Sequence, residues 1–182
     1  RRHATSKLRS ESDLADLATL GFRGEALPSI AAVADVTCSS RALAEAVGVE
    51  LRFDAGAMEQ RPLSRQAGTT MFVDGLFARF PARKKFLRGR SAEAAACVQA
   101  VTPLALGFPE VQFAVLVDGR EALRTPGDGD LRSAAVAVLG NDAAEHLLDV
   151  PMTAVNDERG EPVVEVDGVC ATGSYNRSGR SG

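Results

Sequence analysis

The sequence predicts an α+β fold, in which antiparallel strands are grouped together and flanked by helices. Apolar residues recur at helical spacing in residues 13–20 and again in residues 25–34, and an Ala-rich run at 91–107 predicts a long helix. Short runs rich in apolar and β-branched residues lie between these helices, each bounded by turn residues: 35–42, 47–55, 58–65 and 68–77. Strands that follow one another with short turns favour antiparallel pairing.

The helix boundaries follow from capping residues. Ser12 can cap the first helix, and Gly21 ends it. Pro28 lies in the first turn of the second helix, where a missing N–H costs little. The basic stretch RFPARKKFLRG at 79–89 is broken by proline and predicts a connection.

The second half of the chain predicts a hairpin, a helix and a further β-rich region. Asp118–Gly119 is a hairpin turn signal, a helix is expected from about 130 to 139, and strands from about 147 to 175. The Gly- and Asp-rich change near 127–130 is the candidate boundary between two domains, at 1–128 and 129–182.

Composition and charge exclude several classes of protein. The 182 residues are 45% hydrophobic and carry a net charge of −3. This charge argues against a protein that binds nucleic acid over most of its surface, but it allows a local basic patch. No apolar run is long enough to cross a bilayer. Three scattered cysteines indicate a reduced, intracellular protein, and two histidines remote from them give no basis for a metal site.

The stretch LGFRGEALPSI at 20–30 places two glycines and an arginine directly before a helix. Glycine permits close backbone approach, the first helical N–H groups lack partners, and Arg23 offers a guanidinium suited to phosphate oxygens. This combination indicates a phosphate site at Gly21, Arg23 and Gly24. The alternative is an ordinary glycine turn between two helices with Arg23 in solvent.

Two further stretches offer polar groups to a ligand. In RHATSKL, Thr5 and Ser6 offer hydroxyls and Lys7 a cation, although a solvated loop explains the same residues. In GTTMFVDGLFARFPARKKFL, Thr69 could hydrogen-bond a base edge. The cations of the latter stretch could bind nucleic acid, or they could extend into solvent from a connection whose phenylalanines pack in the core. We expect the packing role for three of its phenylalanines, Phe77, Phe80 and Phe86.

These three stretches, in this order, resemble the MutL DNA mismatch repair proteins of the GHKL ATPase superfamily. The match extends over roughly residues 1–90, and GFRGEAL with PARKKFL is specific to the MutL branch. The resemblance implies a partial Bergerat ATP-binding α/β sandwich, followed by a truncated domain resembling ribosomal protein S5. It also implies that the chain is an internal fragment of an N-terminal region.

The resemblance implies ATP as the ligand, with Mg²⁺. It assigns Gly21, Phe22, Arg23 and Gly24 to the ATP phosphates. Thr5, Ser6 and Lys7 match the end of a second motif and its lid, and Thr69 lies near the adenine. In the family, the glutamate that activates water and the asparagine that binds Mg²⁺ belong upstream of Arg1, so no catalytic or metal-binding residue is expected here and the fragment alone is expected to be inactive.

The implied function is mismatch repair, in which ATP binding and hydrolysis drive dimerisation of the N-terminal regions and couple mismatch recognition to strand incision. The implied partners are a MutS-type mismatch sensor, DNA, a downstream endonuclease or helicase, and a second copy of the chain. A bacterial cytoplasmic, nucleoid-associated location is expected. The alternatives are another GHKL ATPase, such as a topoisomerase-like subunit, and a DNA- or partner-binding module without nucleotide turnover.

Overall fold

The computed structural model describes residues 20–21, 23–54, 56–157, 159 and 162–175. Contacts along the chain form two units, which divide between Leu87 and Arg88. The predicted boundary near residue 128 falls inside the second unit, because the helix before it packs against the helix after it. The domain limits 1–128 and 129–182 stay a prediction.

The first unit contains a four-stranded antiparallel sheet, with one short helix before its first strand and another after its last strand. The strand order is β3-β2-β1-β4. Its elements are α1 (Ala26–Ala31), β1 (Asp35–Arg41), β2 (Gly48–Asp54), β3 (Ala57–Leu63), β4 (Gly68–Asp74) and α2 (Pro81–Lys84). The four predicted strands and their antiparallel pairing are therefore confirmed, whereas α1 is shorter than the predicted helix at 25–34.

The connection after β4 is tied to the beginning of β1. Phe77, at a φ of 58°, donates its N–H to the carbonyl of Val33 at 2.8 Å. Arg79 then bonds Asp35 Oδ1 at 2.6 Å and Asp54 Oδ1 at 3.3 Å. The hydrogen bond from Arg79 to Asp35 raises the pKa of the guanidinium, so the cation is the form that this contact favours. One side chain thus joins the connection to the ends of two strands.

The second unit places two helices beside two separate hairpins. Its elements are α3 (Arg90–Gly107), β5 (Ala114–Val117), β6 (Arg120–Arg124), α4 (Leu131–Leu139), a 3₁₀ helix (Asn141–His146), β7 (Leu147–Asn156) and β8 (Pro162–Ala171). The predicted long helix at 91–107, the hairpin at Asp118–Gly119, the helix at about 130–139 and the β-rich region that follows it are all confirmed. Asp118 and Gly119 both have positive φ, at 53° and 76°, as a two-residue type I′ turn requires.

Small side chains form the buried core of the second unit. Ala105 and Ala134 are fully buried, and Leu123 is 7% exposed. Thr125 is also fully buried, and its hydroxyl accepts the N–H of Phe113 at 3.0 Å, so its polar atom is satisfied. Small residues such as these allow helices and strands to approach closely.

Candidate functional site

The glycine turn before α1 contains one glycine with a positive φ. Gly24 has a φ of 64°, which favours glycine because a Cβ there is strained. Glu25 is the N-cap residue, and its side chain makes no capping hydrogen bond to the helix. Arg23 is exposed. The turn therefore places an exposed guanidinium beside a glycine at the start of a six-residue helix.

Thr69 lies elsewhere in the first unit, at the beginning of β4. It is exposed and pairs with Ser40 on β1, and the two hydroxyl oxygens are 2.7 Å apart. The preceding Gly68 has a φ of 128°, so the strand begins in a conformation that L side chains rarely adopt. The hydroxyl pair lies near the C-terminal end of β1, about 17 Å along the strand from Asp35 at its beginning.

Arginine side chains fix the loop that leads into Thr69. Arg65 donates to the carbonyl of Ser39 on β1 and, at 3.2 Å, to the hydroxyl of Thr70 on β4. Arg41 in turn donates to the carbonyl of Arg65 at 2.6 Å. One guanidinium therefore bridges the two strands immediately beside the Ser40–Thr69 pair.

The predicted site residues fall into three groups. Gly21, Arg23 and Gly24 share one turn, and Thr69 lies on a separate strand. The other predicted residues lie outside the described part of the chain: Thr5, Ser6, Lys7 and Phe22. Ser40 and Arg65 were not predicted from the sequence, because only the register of β1 against β4 places Ser40 beside Thr69.

The basic segment after β4 is exposed. Lys84 and Lys85 make no ion pair within the described residues, and Arg83 lies over the ring of Phe80 at 5.7 Å. The predicted core roles of Phe80 and Phe86 are wrong, because these side chains are 38% and 86% exposed. The helix α2 in this segment is only four residues long and contains no buried residue.

The described residues show neither a metal cluster nor a membrane-spanning helix. These residues contain no group of three His, Cys, Asp or Glu side chains arranged to hold a metal ion. No helix among them combines the length and apolar character needed to span a membrane.

Comparison with curated proteins finds relatives named DNA mismatch repair protein MutL. No family model matches the chain. The chain is 43% identical over 151 residues to the DNA mismatch repair protein MutL of Streptococcus thermophilus, covering 82% of this chain and 23% of that protein. It is 39% identical over 161 residues to MutL of Streptococcus equi subsp. zooepidemicus, covering 88% and 24% respectively. The chain thus spans about a quarter of the length of these curated relatives.

Solved structures show the same relationship. The Aquifex aeolicus MutL ATPase domain complexed with ADP matches with a TM-score of 0.60 and 29% identity, over 72% of this chain and 52% of that chain. The N-terminal domain of a DNA repair protein matches with a TM-score of 0.64 over 84% of this chain and 49% of that chain. Its identity is 23%, so it bears on the fold alone. Both likenesses confirm the predicted α+β class.

Proposed function

We propose that the protein carrying this chain is an ATP-dependent DNA mismatch repair protein, because the chain belongs to the MutL family of DNA mismatch repair proteins. The observation that carries the proposal is the match to an ADP-bound MutL ATPase domain over 72% of the chain. ATP binding dimerises two copies of the N-terminal region and orders their loops, and hydrolysis releases them. This cycle couples recognition of a mismatch to incision of the strand.

The nucleotide is held by the glycine turn and by the beginning of β4. Gly21 and Gly24 let the backbone approach the phosphates, and the exposed guanidinium of Arg23 binds phosphate oxygens. Thr69 offers an exposed hydroxyl to the base. Four residues outside the described part complete the proposed set: Thr5, Ser6, Lys7 and Phe22. The positive φ of Gly24 explains why the turn requires glycine, since any Cβ at that point would strain it.

Arg23 contributes electrostatic stabilisation in this arrangement. Phosphoryl transfer depends mainly on positioning and on charge stabilisation. A guanidinium keeps its charge at all working pH values and can form two parallel hydrogen bonds to one phosphate group. Arg23 therefore orients the phosphates and offsets their negative charge from its position in the glycine turn.

Mg²⁺ is the metal that such a triphosphate site uses. The described residues contain no group of three His, Cys, Asp or Glu side chains that could hold it. The family resemblance places its asparagine ligand and the general-base glutamate before Arg1. We therefore expect the 182-residue chain by itself to show no ATP turnover.

The partners proposed for the whole protein are a MutS-type sensor, DNA, a downstream endonuclease or helicase, and a second copy of the chain. The exposed cations Arg83, Lys84 and Lys85 support contact with DNA, since lysine and arginine neutralise backbone phosphates. The exposed ring of Phe86 beside them is available to stack on an unpaired base.

ATP hydrolysis by the full-length gene product tests the proposal. Arg23→Ala should lower kcat/KM about 10- to 100-fold, the range expected when a hydrogen-bonded charge is removed from a charged ligand. Arg120→Ala is the matched control, because Arg120 is an exposed arginine on β6 and should leave turnover unchanged. Full turnover by Arg23→Ala would contradict the assignment of the turn. Nucleotide binding without turnover in the unaltered protein would favour a binding module.

A further inference from the structure

The two faces of the four-stranded sheet differ in chemistry. Residues that pair across antiparallel strands share a face, and alternate residues along each strand do so too. By the register, one face carries mainly apolar side chains: Val36, Cys38, Val49, Leu51, Phe53, Met71 and Val73. Ser40 and Thr69 belong to this same face and lie at one end of it. A hydroxyl pair at the end of an apolar surface can orient a ligand that is flat, mostly apolar and polar at its edge.

The separation of the two hydroxyls limits what they can offer a ligand. At 2.7 Å the Ser40 and Thr69 oxygens are at the usual distance of an O–H···O bond. Each hydroxyl carries one hydrogen and two lone pairs. One hydrogen is used between them, so the pair keeps one hydrogen and several lone pairs for a partner. This matches the edge of a purine base, where a ring nitrogen acceptor lies beside an amino or carbonyl group.

The surrounding backbone holds the pair in register. The guanidinium of Arg65 bonds β1 through the carbonyl of Ser39 and β4 through the hydroxyl of Thr70. Ser39 and Thr70 pair directly with each other. Ser39 immediately precedes Ser40 in the chain, and Thr70 immediately follows Thr69. The strands therefore cannot separate at this point without breaking the Arg65 contacts.

We infer that Ser40 is a positioning residue for nucleotide binding, which orients the Thr69 hydroxyl toward the purine base, while Arg65 holds the two strands in register. The inference rests on the proposed function, because it takes Thr69 as the residue that contacts the base. Ser40 acts through Thr69, so removing either hydroxyl removes the same interaction with the ligand.

Binding of ADP and GDP to the full-length gene product tests the inference. Ser40→Ala should weaken ADP binding about five- to tenfold, as loss of one neutral hydrogen bond predicts, and Ser40→Thr should restore it. In a Thr69→Ala background, Ser40→Ala should have no further effect. Ser40→Ala should also lower the ratio of ADP affinity to GDP affinity. In hydrolysis assays it should raise KM for ATP and leave kcat within twofold, which general damage to the fold does not do.

Thr37→Ala is the matched control, because it removes a hydroxyl from the same strand on the opposite face of the sheet. It should leave ADP affinity within twofold. If Thr69→Ala weakens ADP binding and Ser40→Ala does not, the inference is wrong and the proposed function stands. If Ser40→Thr binds as poorly as Ser40→Ala, the hydroxyl is not the cause and the inference is again wrong. If the unaltered protein binds no ADP, the proposed function fails and the inference fails with it.

Discussion

Replacing Gly127 with alanine should destabilise the second unit much more than the same change at Gly129. Both glycines have positive φ, at 72° and 80°, so alanine is strained by about 1–2 kcal/mol at either position. A Cβ on Gly127 would lie 2.5 Å from the nitrogen of Gln112 and 2.8 Å from its Cα, whereas a Cβ on Gly129 meets nothing within 4 Å. Because the atoms in contact are backbone, relief requires the loop or its neighbour to move.

Forced movement of packed backbone costs about 1–3 kcal/mol beyond the strain in φ. Gly127→Ala should therefore lower the free energy of unfolding by about 2–5 kcal/mol, and Gly129→Ala by about 1–2 kcal/mol. Urea unfolding followed by circular dichroism measures both, and similar m-values would show that the midpoints are comparable. Equal midpoints for the two variants would refute the reasoning, since the contact with Gln112 is the difference between them.

Two further changes test the helix cap and the basic segment. Asp130 caps α4, and the hydrogen bond from the Ser133 hydroxyl, at 2.7 Å, holds the pKa of its carboxyl below the ordinary value. The stability that this cap adds is present above about pH 4 and is lost as the pH falls through the folded-state pKa of Asp130. The urea midpoints of the unaltered chain and of Asp130→Ala should therefore differ at pH 7 and converge in acid. Convergence on raising the pH instead would contradict this sign. In the full-length gene product, changing Lys84 and Lys85 together to glutamate should weaken DNA binding and lower the slope of log K against log salt concentration by about two. Arg120→Glu should change neither the affinity nor the slope. Equal slopes for the lysine variant and the unaltered protein would place the DNA elsewhere.

Local sequence signals predicted the elements whose ends are set by local chemistry. Asp118–Gly119 fixed the hairpin because both turn residues need positive φ. Asp130 fixed the start of α4 through its capping bonds to Arg132 and Ser133. The second helix was predicted too long, to residue 34, because its end depends on a distant group: the Val33 carbonyl accepts the N–H of Phe77.

Features that depend on pairing between distant segments could not be read from the sequence. The contact between Ser40 and Thr69 exists only because of the register of β1 against β4, and two polar residues in separate strands give no local sign of it. The exposure of Phe86 escaped prediction for a related reason. An aromatic residue among cations fits either a core or a surface, and only the path of the chain after β4 decides between them.

The polar face of the sheet gives a physical reason why that register is unique. Glu50 on β2 is 9% exposed and accepts two bonds from Arg61 on β3, at 2.8 and 2.6 Å, and one from Ser39 on β1, at 3.3 Å. Arg65 continues this row of contacts to Thr70 on β4. A one-residue slip of any strand would turn its polar side chains to the apolar face and would leave a mostly buried carboxylate without its partner, which is strongly unfavourable. The ionic row on one face thus specifies the alignment that brings the hydroxyls of Ser40 and Thr69 together on the other.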